Sequence, residues 1–325
     1  MNSKKRLGFI LIPLLLVGGY FVANSLLFNG TKGKVVSEEG IQATYFAGPD
    51  MKERPAVVVI GGGLGGDYWA NEFLGQGVVG LSLSYYRVPG LPQLMEEIPL
   101  EYFEKAIRWL GKQAEVDPNK IVVMGASRNA ELALVLASQF PDLISGVIAF
   151  APSSISWPNA VLPFNSDTLK ASWTYQNQDI PYLHMAKIKG TDSPKIETLG
   201  YWEAGLQQID QYPSAVIPVE KIAGPILLLS GRDDQVWPSA TMSDMMEERL
   251  KVNNFSHDVE NVQFENAGHL ISRNLDYISK GREGQMYIGG KAYEFEYGGT
   301  IEGDKAAIVQ SWEKIKAYIK KVETK

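Results

Sequence analysis

The sequence predicts an α/β chain built on a mostly parallel, doubly wound sheet, and three observations carry that prediction. Short aliphatic runs at Ala56–Ile60, Ile121–Met124, Gly146–Phe150 and Pro225–Ser230 lack the alternation of half-covered strands and suit strands buried on both faces. Segments with helical spacing of apolar residues separate several of these runs, which implies crossovers between parallel strands. Glycines sit directly at strand ends, above all in Gly61-Gly-Gly-Leu-Gly-Gly66 and at Gly125, where the backbone must turn sharply.

Taken in order, Lys34–Val36 and Ile41–Phe46 flank Ser37-Glu-Glu-Gly40 and read as a strand pair. Ala56–Ile60 is a buried strand ending in the Gly61–Gly66 loop, and Val78–Tyr85 is the next strand. Pro99–Glu115 carries Leu100, Phe103, Ile107 and Leu110 at helical spacing, with Asp117-Pro118-Asn119 as its stop. The strand Ile121–Met124 leads into a helix from about Arg128 to Gln139. Strands at Gly146–Phe150, Pro225–Ser230 and Val259–Phe264 and helices near Ala240–Lys251 and Lys305–Lys321 complete the rhythm. Ser153–Gly224 interrupts it. This stretch is rich in Pro, Trp and Tyr and is far too long for an ordinary crossover. It reads as a cap insertion, at about 153–224, whose aromatics either cover the site or pack a small core of their own.

A chain of 325 residues with 45% apolar and 21% charged side chains buries a substantial core, so one globular domain over 34–325 is expected. Net charge is −6 and the basic residues are dispersed, which excludes a phosphate-neutralising stripe and with it nucleic acid as a partner. Without cysteine there is no disulfide, no thiolate metal site and no cysteine nucleophile. No metal or cofactor is expected, and oligomeric state is not encoded in any recognisable pattern.

Residues 1–33 read as a signal anchor and linker. Lys4, Lys5 and Arg6 precede an uncharged run, Leu7–Phe28, long enough as a helix to cross a bilayer core of ~30 Å. The expectation is an N-terminal transmembrane helix, with a cleaved signal ending near Ala23-Asn24-Ser25 as the alternative. The basic flank places the N-terminus in the cytoplasm and the rest of the chain outside it, membrane-anchored with an extracytoplasmic domain.

Chemistry concentrates at Met124-Gly-Ala-Ser-Arg-Asn-Ala130, which joins a strand directly to a helix. A serine in such a turn is held in a strained conformation that exposes its Oγ, the nucleophile elbow of α/β-hydrolases. Asn129 stands where that motif ends in glycine, and Ser127 could alternatively be an ordinary helix cap. The nucleophile reading requires a base and an acid in the chain order Ser, acid, His. Among three histidines only His269 lies in a Gly-His loop after a strand; His184 and His257 read as packing or surface residues. Asp233 and Asp234 follow the strand ending in Ser230-Gly231, and Asp234, the third residue after Gly231, holds the usual place of the supporting acid. The oxyanion hole is expected from the Arg128 N–H and from Gly63 or Leu64. The Arg128 side chain either meets an acidic substrate group or is solvated. The Gly61–Gly66 loop lacks the Gly-Lys-Ser/Thr of a phosphate-binding loop.

These residues give the chain a marked resemblance to the acyl-CoA thioester hydrolase / bile acid-CoA:amino acid N-acyltransferase family, in its C-terminal catalytic domain. The similarity runs from about Pro55 to Val322. It includes Gly-Ala-Ser-Arg-Asn-Ala-Glu-Leu132, Gly-Arg-Asp-Asp-Gln-Val-Trp-Pro-Ser239, Gly-His-Leu-Ile271 and Gly-Gly-Thr300 before a Trp-containing final helix. The resemblance implies an α/β-hydrolase fold with Ser127 as nucleophile, Asp234 as acid and His269 as base. In this family serine members hydrolyse, whereas cysteine members tend to pass the acyl group to an amine, so it also implies water as acceptor.

The expected function is a serine acyl hydrolase of the acyl-CoA thioesterase type, acting on a small-molecule acyl thioester through an acyl-enzyme. Acyl-CoA does not ordinarily reach an outward-facing domain, which keeps two alternatives open. One is a carboxylesterase or lipase-like hydrolase of exogenous esters. The other is a hydrolase-fold binding protein that has lost catalysis.

Overall fold

The computed structural model describes residues 33–159, 169–185, 188–275 and 282–324. Eight strands form the central sheet: β1 (Lys34–Val36), β2 (Gln42–Phe46), β3 (Arg54–Ile60), β4 (Val79–Ser84), β6 (Val116–Ala126), β7 (Gly146–Phe150), β10 (Ile226–Gly231) and β11 (Val259–Phe264). Two short pieces, β5 (Ile98–Pro99) and β8 (Trp173–Tyr175), pair with each other, and β9 (Gln178–Asp179) extends that small sheet. The order in the large sheet is β1-β2-β4-β3-β6-β7-β10-β11. From β4 onward every pairing is parallel, while β1 and β2 add antiparallel strands at one edge.

The continuous apolar runs follow from this placement. In β3, Ala56, Val58 and Ile60 join one apolar cluster, while Val57 and Val59 join the cluster on the opposite face. The same split divides Val147 and Ala149 from Ile148 and Phe150 in β7. The first cluster is covered by α2 (Leu100–Leu110), α3 (Arg128–Gln139) and α5 (Ser239–Val252). The second is covered by α1 (Gly63–Leu74) and α6 (Ile301–Glu323). Strands buried on both sides have no polar face to show, which removes the period-2 pattern.

The expected N-terminal transmembrane helix is corrected. Among the described residues no helix is long and apolar enough to cross a membrane, and membrane association through such a helix has no support. The one described helix of spanning length, α6, is amphipathic and carries Glu302, Asp304, Lys314, Lys320 and Lys321. The run Leu7–Phe28 lies outside the described residues.

Several elements differ from the sequence reading, three of them near the site. The Gly61–Gly66 loop is only half loop: Gly61 (φ 114°) and Gly62 (φ 60°) turn, and α1 begins at Gly63. A hairpin of β12 (Glu283–Ile288) and β13 (Lys291–Glu296) follows the His269 loop. Its partner is the insertion: Ile196 N–H donates to Glu294 O at 2.8 Å, and Glu294 N–H donates to Pro194 O at 2.8 Å. Within the insertion, α4 (Leu199–Leu206) contributes Trp202 to a cluster with Trp157, Leu183, Met185 and Trp237. Trp157 meets Trp202 edge-on at 4.8 Å, and Trp202 meets Trp237 at 5.2 Å. Trp157 and Trp202 are therefore committed to a small core that the insertion shares with Trp237 and Met242, and Trp173 to the main core.

Candidate active site

Ser127 is the one residue between β6 and α3, with φ 57° and ψ −126°. An L residue in this region stores roughly 1–3 kcal/mol, so its neighbours must hold it there. Its N–H donates to Phe150 O at 2.9 Å, and its carbonyl accepts from Ala130 N at 2.9 Å and Glu131 N at 3.1 Å. The close approach of strand and helix depends on Gly125, where a Cβ would lie 2.1 Å from the Asn129 carbonyl oxygen.

Asn129 is accommodated by its surroundings. Tyr85 Oη donates to Asn129 Oδ1 at 2.7 Å, and the amide nitrogen occupies space that a Cβ on Gly61 would enter, at 2.5 Å. Both the glycine turn and the tyrosine are shaped around this side chain.

β10 and β11 deliver the other two residues to the same edge, since β6, β7, β10 and β11 are consecutive parallel neighbours. Asp234 is buried. Its Oδ1 accepts from Val236 N at 2.9 Å and Trp237 N at 3.3 Å; its Oδ2 accepts from Ser239 Oγ at 2.7 Å and lies 2.9 Å from His269 Nδ1. Every one of these contacts fixes the carboxylate plane. Asp233, by contrast, is exposed, and its backbone N–H donates to Ala267 O at 2.9 Å.

The backbone around His269 is equally constrained. His269 N–H donates to Tyr297 O at 2.9 Å, Gly268 N–H donates to Asp304 Oδ1 at 2.7 Å, and Arg282 Nη1 pairs with Asp304 Oδ2 at 2.8 Å. A Cβ at 268 would lie 2.3 Å from Gly298 O, so only glycine lets the loop pass here. The His269 ring is flanked by Trp237 at 6.0 Å and Tyr297 at 6.4 Å. His184 is instead stacked between Tyr182 and Tyr212 on the insertion, and His257 packs on Phe255.

Gly63 and Leu64 form the first turn of α1, and Leu64 is exposed. First-turn N–H groups have no acceptor within their helix, and the same holds for Arg128 at the start of α3. These donors open two helices beside the glycine turn and the elbow.

The Arg128 side chain is neither solvated nor open to substrate. It is buried, ion-paired with Glu131, and donates from Nη2 to Trp157 O at 3.0 Å and to Ser172 Oγ. Glu131, fully buried, also accepts from Trp157 N at 3.1 Å and Trp173 Nε1 at 3.0 Å. Burial pushes its carboxyl up to about 7, against the opposing pull of Arg128 and those N–H donors. Sequence reasoning missed Glu131 altogether. The available signal was its place three residues after Arg128, on one helix face.

Serine at a strained turn, with a histidine–carboxylate pair on the same sheet edge, is a set of parts suited to nucleophilic acyl transfer. Likeness to solved structures supports the fold. A Mycobacterium tuberculosis puromycin-hydrolysing peptidase aligns with a TM-score of 0.53 at 14% identity, over 90% of this chain and 38% of that one. A Pyrobaculum calidifontis esterase aligns with a TM-score of 0.50 at 15% identity, over 99% and 98%. Among curated relatives, human acyl-coenzyme A thioesterase 6 is 27% identical over 299 residues, covering 90% of this chain and 66% of that protein. Mouse mitochondrial acyl-coenzyme A thioesterase 2 is 26% identical over 300 residues, covering 91% and 61%. The chain thus spans less than two thirds of the length of these relatives. Residues 98–324, which include Ser127, Asp234 and His269, match the family model described as BAAT / acyl-CoA thioester hydrolase C terminal, and the chain belongs to that family.

Proposed function

We propose that this protein is a serine acyl hydrolase of the acyl-CoA thioesterase type, in which Ser127, His269 and Asp234 act as nucleophile, base and supporting acid. The observation that carries this reading is the 2.9 Å contact between His269 Nδ1 and Asp234 Oδ2 on the sheet edge where Ser127 is held at φ 57°. Asp234 orients the imidazole so that Nε2 accepts the Ser127 hydroxyl proton as Oγ attacks the thioester carbonyl. The oxyanion so formed is stabilised by the Arg128 N–H and by Gly63 or Leu64 N–H. Collapse breaks the C–S bond, and His269 gives its proton to the departing thiolate. Water then attacks the acyl-enzyme by the same route, its proton passing through His269 to Ser127 as the free acid leaves.

Ser127→Ala is expected to lose nearly all thioester turnover and all labelling by a fluorophosphonate probe, since only an activated serine attacks such electrophiles. Wild-type protein that resists the probe would favour a binding protein on a hydrolase fold. One observation favours a second enzymatic reading. The Arg128 guanidinium is consumed by Glu131 and Ser172, which removes one cation from those able to meet a phosphorylated leaving group and points toward plain carboxylic esters. Faster turnover of oxyesters than of matched thioesters would select that reading.

A further inference from the structure

Beside the elbow lies a cavity of about 240 Å³. Its polar boundary is formed by Gly61, Gly62, Asn129, Ser272 and Arg273, and Ala126, the residue before Ser127, also lines it. The remaining wall is apolar, including Met124, Trp69 and Phe150. No aspartate or glutamate lines it, in a chain of net charge −6 whose larger cavity, about 370 Å³ between the insertion and the hairpin, is lined by five glutamates.

Arg273 is built into this cavity. Trp69 Nε1 donates to Ser272 O at 2.9 Å, which fastens the turn that carries Arg273 to α1. The guanidinium lies over the Tyr297 ring at 5.1 Å, so one face is supported while its N–H edge stays available. Among the described residues it enters no ion pair with a carboxylate. A guanidinium at the polar rim of a pocket without a carboxylate, next to the elbow and four residues past His269, is suited to a bidentate oxyanion.

We propose that this cavity receives the anionic end of the substrate and that Arg273 binds it. The proposal rests on the thioester-hydrolase reading and assigns Arg273 as the residue that reads the anionic group of that substrate, a phosphate or a carboxylate. The charge can sit on the leaving group, as in a phosphorylated thiol, or at the far end of a dicarboxylic acyl chain. Both present the same oxyanion chemistry to Arg273.

The test uses the full chain as Ser127→Ala, which leaves substrates intact, with and without Arg273→Gln. Calorimetry measures binding of octanoyl-CoA, of the uncharged octanoyl N-acetylcysteamine thioester, and of an uncharged-handle thioester of a dicarboxylic acid. At least one anionic compound is expected to bind about tenfold or more tightly than the uncharged one, and Arg273→Gln to erase most of that ratio. Arg273→Lys, which keeps the charge but loses the fork, should retain part of it. Which anionic compound holds the advantage identifies the end of the substrate that is read. Equal binding of all three compounds, or a ratio unchanged by Arg273→Gln, overturns the proposal. Turnover of the uncharged thioester by wild-type protein tests the hydrolase reading separately, because it does not involve the anion.

Discussion

Gly125→Ala probes the elbow by adding a single methyl group. The new Cβ would lie 2.1 Å from Asn129 O and 2.3 Å from Asn129 C, whereas real Cβ atoms essentially never come within 3.0 Å of such neighbours. The obstacle is backbone in the first turn of α3, so no side chain can rotate away to relieve it. The turn must retreat by about 0.9 Å, the difference between 3.0 and 2.1 Å. Because Ser127 O accepts from Ala130 N and Glu131 N, that retreat drags the serine and the Arg128 N–H with it. A misplacement near 1 Å costs about 10²-fold in rate, and overpacking of this kind costs about 1–3 kcal/mol in stability. The assay is the rate of fluorophosphonate labelling beside a thermal melt, with kcat/KM on an uncharged thioester as a check. Gly200→Ala is the control, since a Cβ there meets open space within α4 and should leave the labelling rate unchanged. A Gly125→Ala protein that labels at the wild-type rate would refute the close-packing account of the elbow.

Three further outcomes are expected. Asp234→Asn should cost orders of magnitude in kcat, because an amide cannot hold the imidazole in the required tautomer, while the exposed Asp233→Asn should cost far less; the reverse ranking in steady-state kinetics would displace Asp234 from its role. Glu131 is held up to about 7 from an ordinary 4.5, so the folded chain keeps a proton there that the unfolded chain releases. Its contribution to stability is therefore full below pH 4.5 and is lost as pH rises toward 7, by about 3 kcal/mol, and urea melts of Glu131→Gln should lack this decline; parallel pH profiles would reject it. Tyr85→Phe removes the donor to Asn129 Oδ1 and should cost about 1 kcal/mol in thermal or urea melts, and in an Asn129→Gly background the same substitution should cost nothing measurable.

The legible parts of the fold are those where one interaction dominates. Gly146–Phe150, Val259–Phe264 and Arg128–Gln139 are aliphatic or periodic runs with clear breaks at each end, and the observed elements have these bounds. The Pro99–Glu115 run ends early, at Leu110, because Gly111 closes the helix before Asp117-Pro118 is reached. α1 was hidden by its own glycines: Gly63, Gly65 and Gly66 make its first turn read as loop, yet Trp69, Ala70 and Phe73 bury one face and hold the helix against the sheet. The β12–β13 hairpin did carry a signal, the Gly289-Gly290 turn with both φ values positive, between stretches too polar to read as strands alone. At the site, residue types and chain order point to serine, histidine and an aspartate pair. The opposite exposure of Asp233 and Asp234, and the burial of Arg128 with Glu131, arise from contacts with residues dozens of positions away.

The backbone bonds between Ile196, Glu294 and Pro194 bear on which parts of this chain can be exchanged with those of a relative. They attach the insertion to a hairpin that leads directly to Tyr297, whose carbonyl receives the His269 N–H. Lys195 adds contacts to Glu283 and Glu296 on the same hairpin. An insertion transplanted from a relative without its hairpin would leave β13 with unmet main-chain groups and pull on the loop that seats His269. The two stretches, far apart in the chain, form one exchangeable cassette, and chimeras that cut between them should fold poorly even when each half comes from an active parent.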